Sequence, residues 1–278
     1  MKIAVLFVLI CLYAVVLFPF SSYMKSRPFI EKIGYVPEPG VLKLLSADQH
    51  QFVAASLMIN VISYYGGLLE HAQDKTIDSR PEYPAIQKML EASVQLDPYN
   101  MDAYYFAQAI VWFTGQVTAT NRLLEYGMRY RDWDFYLPFF AGFNYGYFLK
   151  DYANAAKYYQ RVGELTGSDL AMTLAGRYMY ESGRTGMAIS YLSLMVKNTR
   201  NEAVRKTIQT RLDAFLGVRT IEQAAAEFSK KYHRKARSIE ELTRSKCLAQ
   251  IPRDPYGGTF FIDDTGMVRS TSKFAFAH

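Results

Sequence analysis

Apolar and polar positions follow three patterns along this chain, and each predicts a different kind of element. Residues 3–20, IAVLFVLICLYAVVLFPF, carry no charge. As a helix rising 1.5 Å per residue this run spans roughly 27 Å, close to the thickness of a hydrocarbon core. It predicts a membrane-spanning signal anchor over residues 1–22. Between residues 83 and 197 small or apolar residues recur every 33 to 35 positions. Ile86, Thr120, Ala155 and Ala188 form one column, Leu90, Leu124, Tyr159 and Leu192 a second, and Ser93, Gly127, Val162 and Met195 a third. Within each unit the three lie four and then three residues apart, on one helical face. A period of that length predicts helix pairs whose core is completed only by stacking on neighbours. The third pattern is two short β-prone runs, residues 259–263 and 267–271, flanking Asp264-Thr265-Gly266 behind the breaker Pro252-Arg253-Asp254-Pro255-Tyr256-Gly257-Gly258. That order predicts a β-hairpin.

These patterns divide the chain into an anchor (1–22), a linker (23–45), helical repeats (46–200), capping helices (201–250) and a hairpin tail (251–278). A helix over about residues 48–66, opened by Ser46 and Asp48, supplies an irregular first layer. Residues 201–218 form a further amphipathic helix. Thr220-Ile221-Glu222-Gln223 is read as a capping box opening the next one, and Ser238-Ile239-Glu240-Glu241 as the start of a short last one.

The repeat columns resemble the second helix of the tetratricopeptide repeat (TPR). Val94-Gln95-Leu96-Asp97-Pro98-Tyr99-Asn100 matches that family's end-of-repeat pattern, in which Pro stops one helix and Asn opens the next. Residues 151–159 and 181–188 match the turn and start of its second helix, with Gly183 at the tight inter-helix turn. Residues 131–138 (RDWDFYLP) are an aromatic insertion where a standard repeat turns briefly. The resemblance covers roughly residues 45–197. It implies an all-α fold, a TPR-like α-solenoid of helical hairpins, here with one N-terminal transmembrane helix and a small C-terminal hairpin. It also implies protein binding on the inner faces of the first helices, at Tyr105, Trp112, Phe140, Asn144, Tyr147, Arg177 and Tyr180; the alternative is that most of these rings are core or ordinary surface, as rings at helical spacing usually are. The basic clamp of chaperone-binding members is missing at Tyr105 and Ala109, which disfavours recognition of a terminal carboxylate. Over about forty C-terminal residues the order of helix, Ile-Pro-x-Asp-Pro-Tyr-Gly-Gly and hairpin is similar to the end of type II secretion pseudopilins, without their N-terminal methylation motif.

Composition narrows the function classes. Half of the residues are apolar and 15% aromatic, too apolar for a disordered chain. Of the 42 aromatics, 19 fall between residues 104 and 159, so the middle repeats are where a contact surface is sought. Two cysteines, Cys11 and Cys247, exclude a disulfide framework, and His50, His71, His233 and His278 lack metal-site spacing. There is no phosphate-binding loop and no H-E-x-x-H. Two S-x-x-K matches, at Ser22 and Ser270, lack the S-D-N and K-T-G that give that motif its chemistry. The sequence therefore predicts no enzyme, no cofactor and no metal.

Charge is uneven. From Lys197 onward 16 Lys or Arg face 9 Asp or Glu, a balance of +7, whereas residues 1–196 balance at −1. The densest run holds Lys230, Lys231, Arg234, Lys235 and Arg237. It fits anionic lipid headgroups or an acidic partner, since a basic segment near such a surface gains about 1 kcal/mol per charge. A solvated helix end is the alternative, and no nucleic-acid module accompanies the run.

Residues 19–25, PFSSYMK, offer no A-x-A-like cleavage site, which favours an uncleaved anchor over a secretory signal. Lys2 and the amine oppose Lys25 and Arg27, so the positive-inside rule leaves orientation open. The common arrangement is adopted: bacterial inner membrane, single pass, bulk of the chain in the periplasm. The expected function is a membrane-anchored scaffold or adaptor joining proteins in a cell-envelope complex of the secretion or pilus type. The alternative is an accessory subunit of an envelope enzyme, or a glycan- or peptide-binding protein with Trp112 and Trp133 as stacking platforms.

Overall fold

The computed structural model describes residues 12–13, 15–22, 33–73 and 82–275. Most of them are helical, with consecutive helices packed within each unit and one small antiparallel sheet near the C-terminus. The chain divides into two compact units, residues 1–110 and 111–278.

In the first unit, residues 3–11 and 14 of the apolar N-terminal run lie outside the described residues. Residues 15–22 are helical and all exposed, Phe18 at 75%. The expected linker contains a helix, α1 (Pro39–Ser46), which starts on proline because its fixed φ suits the first turn and its missing N–H has no partner there. Next come α2 (His50–Gln73) and α3 (Tyr83–Leu96). α2 starts at His50 and runs beyond the expected end at residue 66. Its inner face, Ala54, Met58, Val61, Tyr64 and Leu68, is buried and packs on α3, which buries Ile86, Met89, Leu90 and Val94. Ser93 Oγ donates to the Ala54 carbonyl at 3.0 Å, a partner the buried hydroxyl requires. α4 (Met101–Thr114) carries the boundary between the units. Among the described residues one helix, His50–Leu69, is long and apolar enough to cross a membrane, with mean hydropathy 1.6 and 28% of it buried.

The second unit runs α5 (Val117–Met128), α6 (Tyr136–Phe143), a π-helical turn (Asn144–Phe148), α7 (Tyr152–Thr166), α8 (Asp169–Glu181) and α9 (Thr185–Asn198). It continues through α10 (Glu202–Tyr232), α11 (Ile239–Arg244), β1 (Phe260–Ile262), β2 (Val268–Ser270) and a 3-10 turn (Lys273–Ala275). Caps set the boundaries. Asp151 accepts from the Asn154 N–H, Ser168 from Ala171, Asn201 from Ala203 and Val204, and Ser238 from Glu241. Between α8 and α9 the chain reverses at Gly183, whose φ of 75° is open to a residue without Cβ. Apart from the partly buried Met195, the repeat columns are core: Ile86, Leu90, Leu124, Ala155 and Ala188 are fully buried, on α3, α5, α7 and α9.

Two expectations are corrected here. Thr220 opens no helix, because α10 continues through it for 31 residues and its hydroxyl donates to the Leu216 carbonyl. The reason is an unbroken apolar face, Ile208, Leu212, Phe215, Val218, Ile221 and Phe228, with no proline to end it. Nor is the hairpin a separate tail. Phe260, Val268 and Phe274 sit in one core with Tyr180, Phe215 and Phe228. β1 and β2 pair Phe260 with Ser270 and Ile262 with Val268, and the buried Tyr180 hydroxyl donates to the Val268 carbonyl.

The hairpin turn is held by Asp263. Partial burial raises its pKa, but hydrogen bonds from the Thr265 hydroxyl, Arg269 and the Met267 and Thr265 N–H groups outweigh this and bring it to about 2. Its contribution to stability is therefore complete above the unfolded value near 4 and is lost as pH falls from about 4 to about 2. Asp263→Asn should flatten the acid limb of a stability-versus-pH curve in that window; an unchanged limb would assign acid sensitivity to other carboxylates.

Candidate functional site

The end of α4 and the segment after α6 bring four rings together. Trp112 lies 4.7 Å from Phe148, 5.1 Å from Tyr147 and 6.3 Å from Phe143, centroid to centroid. Phe143 and Tyr147 stack at 5.3 Å with their planes 5° apart. Lys150 Nζ stands 5.1 Å over the Tyr147 ring, at a residue whose φ is +54°. Trp112 is 56% and Tyr147 48% exposed, so rings that already contact one another still face solvent. Phe113 beside them is 68% exposed.

A change of helical pitch makes this cluster. After Phe143 the helix widens to π geometry, with the Leu149 N–H donating to the Asn144 carbonyl at 3.1 Å. Such bulges shift the faces of a helix and are frequent at functional sites. Its inner side is pinned in three places. Asn144, fully buried, donates to Asn121 Oδ1 at 2.8 Å. Tyr145 and Tyr158, stacked at 5.5 Å, both donate to Glu125 Oε1, at 3.0 and 2.7 Å. Burial and the Glu125 carboxylate push both tyrosines' pKa values up, so both hydroxyls stay protonated donors. Gly146 is the third: a Cβ there would sit 2.5 Å from the Tyr178 hydroxyl. With Asn144, Tyr145 and Gly146 turned inward, Phe143, Tyr147 and Phe148 make the ring contacts with Trp112.

Of the residues expected to line an inner face, Trp112 and Tyr147 are brought together. Tyr105 is 38% exposed on the first-unit part of α4. Phe140 is half-buried against Tyr136 and Phe139. Arg177 is half-buried, 5.9 Å over the Tyr178 ring, and lines a cavity of about 160 Å³ with Glu181, Arg269 and Lys273. Asn144 and Tyr180 are corrected to interior positions: one is fully buried and the other 1% exposed, and their polar groups are spent on Asn121 and on the hairpin. The reading missed Phe143, Phe148 and Lys150, since a 3.6-residue period does not place 143, 147 and 148 beside one ring.

The basic run is exposed at Lys230, Lys231, Arg234, Lys235 and Arg237, though not all of its charge is unspent. Arg234 pairs with Glu241 and covers Phe228 at 4.9 Å, and the Arg237 N–H donates to Glu241 at 2.8 Å. The Arg234 hydrogen bond leads the causes that hold the Glu241 carboxyl at about 2. Lys230 and Lys231 occupy the last turn of α10, where cations complement the helix dipole.

A second concavity, about 520 Å³ between α5 and α7, is lined by Glu125, Arg129, Lys157, Tyr158, Arg161 and Glu164. Its cations and acids nearly balance, which selects no ligand charge. Among the described residues no group of three or more His, Cys, Asp or Glu is placed to hold a metal ion. No known protein family and no curated protein matches the chain.

Proposed function

We propose that this protein is a membrane-anchored, TPR-like scaffold that binds other proteins through the ring cluster of Trp112, Phe143, Tyr147 and Phe148. The observation that carries this reading is the exposure of preassembled rings fixed by a buried hydrogen-bond network. Rings held rigidly lose little side-chain entropy on binding, and partly exposed Trp and Tyr are the residue types that dominate protein interfaces. Lys150 adds one charge at the rim. The action proposed for the cluster is contact. The apolar N-terminal run, with its described part helical and exposed, supports a membrane anchor; the bacterial inner membrane with a periplasmic body is adopted as the common arrangement. Confinement at that surface raises the effective concentration for partners there. The hairpin's likeness to pseudopilin ends makes a secretion or pilus assembly the first class of partner.

Trp112→Ala and Tyr147→Ala should each weaken binding to an immobilised peptide library by about 2 kcal/mol or more, roughly 30-fold. Both side chains are half-exposed, so helicity should be unchanged by circular dichroism. Ring-stacking also suits sugars, and a loss confined to immobilised polysaccharide would instead favour the glycan-binding accessory reading. Unchanged binding to both would remove the cluster as a site.

A further inference from the structure

α2 has two apolar faces, and among the described residues only one has a partner. Opposite the buried face lie Phe52, Ala55, Ile59, Ile62, Gly66 and Leu69, all exposed. They are spaced 3, 4, 3, 4 and 3 residues apart, the seam of a heptad repeat. No Asp, Glu, Lys or Arg occurs from residue 49 to residue 69. A helix face that meets water usually carries charge, and the outer face of a terminal layer in a helical array is usually polar. Gly66 adds an independent observation. A Cβ there would meet nothing within 4 Å, so no contact among the described residues requires glycine, and mid-helix glycine costs about 0.5–1 kcal/mol relative to alanine. Close approach of a backbone from outside the chain accounts for it.

We infer that this seam pairs with α2 of a second copy of the same chain, antiparallel about a two-fold axis between residues 60 and 61. The seam maps onto itself under that rotation: Phe52 meets Leu69, Ala55 meets Gly66 and Ile59 meets Ile62. Large side chains thus face large ones, and the two small residues form the layer of closest approach, as an isologous contact requires. A single bilayer face is a poorer match, because lipid favours a wide apolar surface whereas this stripe is bounded on one side by Ser56, Asn60 and Ser63 and on the other by the face already packed on α3. A different protein's helix is disfavoured by charge, since coiled-coil partners are selected by ion pairs beside the seam and this seam has none. From the exposures of Phe52 (70%), Ile59 (62%), Ile62 (48%) and Leu69 (57%), each copy offers on the order of 500 Å² of apolar surface. About 1,000 Å² in total lies at the low end of specific interfaces, enough for a weak dimer that becomes populated when both copies share one membrane. The last step rests on the anchored reading above.

The test is cysteine cross-linking of the full chain in membranes, with Cys11 and Cys247 replaced by serine. Differently tagged Ala55→Cys and Gly66→Cys chains are co-expressed and oxidised. A covalent dimer carrying both tags is expected, with none from Gln223→Cys chains, whose exposed site on α10 reports random collision. Adding Ile59→Lys and Ile62→Lys, at exposed positions where the fold is undisturbed, should remove the mixed dimer while circular dichroism is unchanged. No mixed dimer, dimer from Ala55→Cys alone, or dimer that survives the lysines would overturn the pairing. Carbonate extraction of the same membranes reads the anchor separately. A chain that is extracted yet still cross-links overturns the anchor only, and an integral chain without cross-links overturns the pairing only.

Discussion

Phe215→Ala is expected to lower the stability of the C-terminal unit by about 3–5 kcal/mol. Phe215 is fully buried on α10, stacked on Tyr180 at 5.0 Å and edge-on to Phe274 at 5.4 Å. Tyr180 belongs to α8 and Phe274 follows the hairpin, so one ring joins three segments far apart in sequence. The space left by its removal cannot close easily, because the Tyr180 hydroxyl is tied to the Val268 carbonyl and Arg211 Nη2 donates to the Phe274 carbonyl at 3.3 Å. Urea unfolding followed by helicity checks the loss, with the neighbouring, 45% exposed Leu216→Ala as a control expected to cost well under 1 kcal/mol. If Phe215→Ala cost no more than that control, the hairpin would not be seated on α10.

Gly258→Ala is expected to cost about 2–4 kcal/mol, through the backbone where Phe215→Ala acts through volume. The added Cβ would stand 2.5 Å from the Ser272 backbone nitrogen and 2.8 Å from both Asp254 Oδ2 and Ser270 Oγ. None of these is the end of a mobile side chain. Asp254 is 2% exposed and accepts from the Ser270 hydroxyl, the Ser272 hydroxyl at 2.6 Å and the Tyr256 N–H at 2.9 Å. Moving the backbone to admit a methyl group would pull donors off a buried carboxylate, whose desolvation is then uncompensated. Amide exchange of residues 260–270 should accelerate in this variant while exchange in α7 keeps its wild-type rate. Unchanged protection of the strands would mean that the turn absorbs the methyl group.

Much of this architecture is legible in the residues. The three columns 33 to 35 residues apart locate the buried face of every second helix, because close packing of neighbouring helices tolerates only small or apolar side chains there. Ser238 and Asn201 announce helix starts, and Asp264-Thr265-Gly266 announces the hairpin turn, since in each case a local hydrogen bond or a positive φ decides. What was illegible depends on contacts distant in sequence. Thr220 and Gln223 satisfy a capping pattern, yet the apolar face that passes them on α10 is long enough to override it. Tyr180 has the spacing of a surface residue and lies in the interior because a strand 88 positions later accepts a hydrogen bond from its hydroxyl. Phe143 and Phe148 reach Trp112 only through the π turn, which depends on the Asn144–Asn121 bond and on the Tyr178 ring filling the space over Gly146. A period of 3.6 residues carries no sign of that. Asn144 has the polar group that a groove would use, but it serves the turn from within.

The central claim, that the rings around Trp112 meet another protein, is tested most directly by photo-cross-linking from position 147 in the full chain in native membranes. Tyr147 is replaced by a benzophenone amino acid, and Gln223 is replaced likewise as the control. The expected result is a discrete protein adduct from position 147 that is absent from position 223 and disappears when Trp112→Ala is added. Adducts that are equal at both positions, that persist with Trp112→Ala, or that contain only lipid or glycan would contradict it.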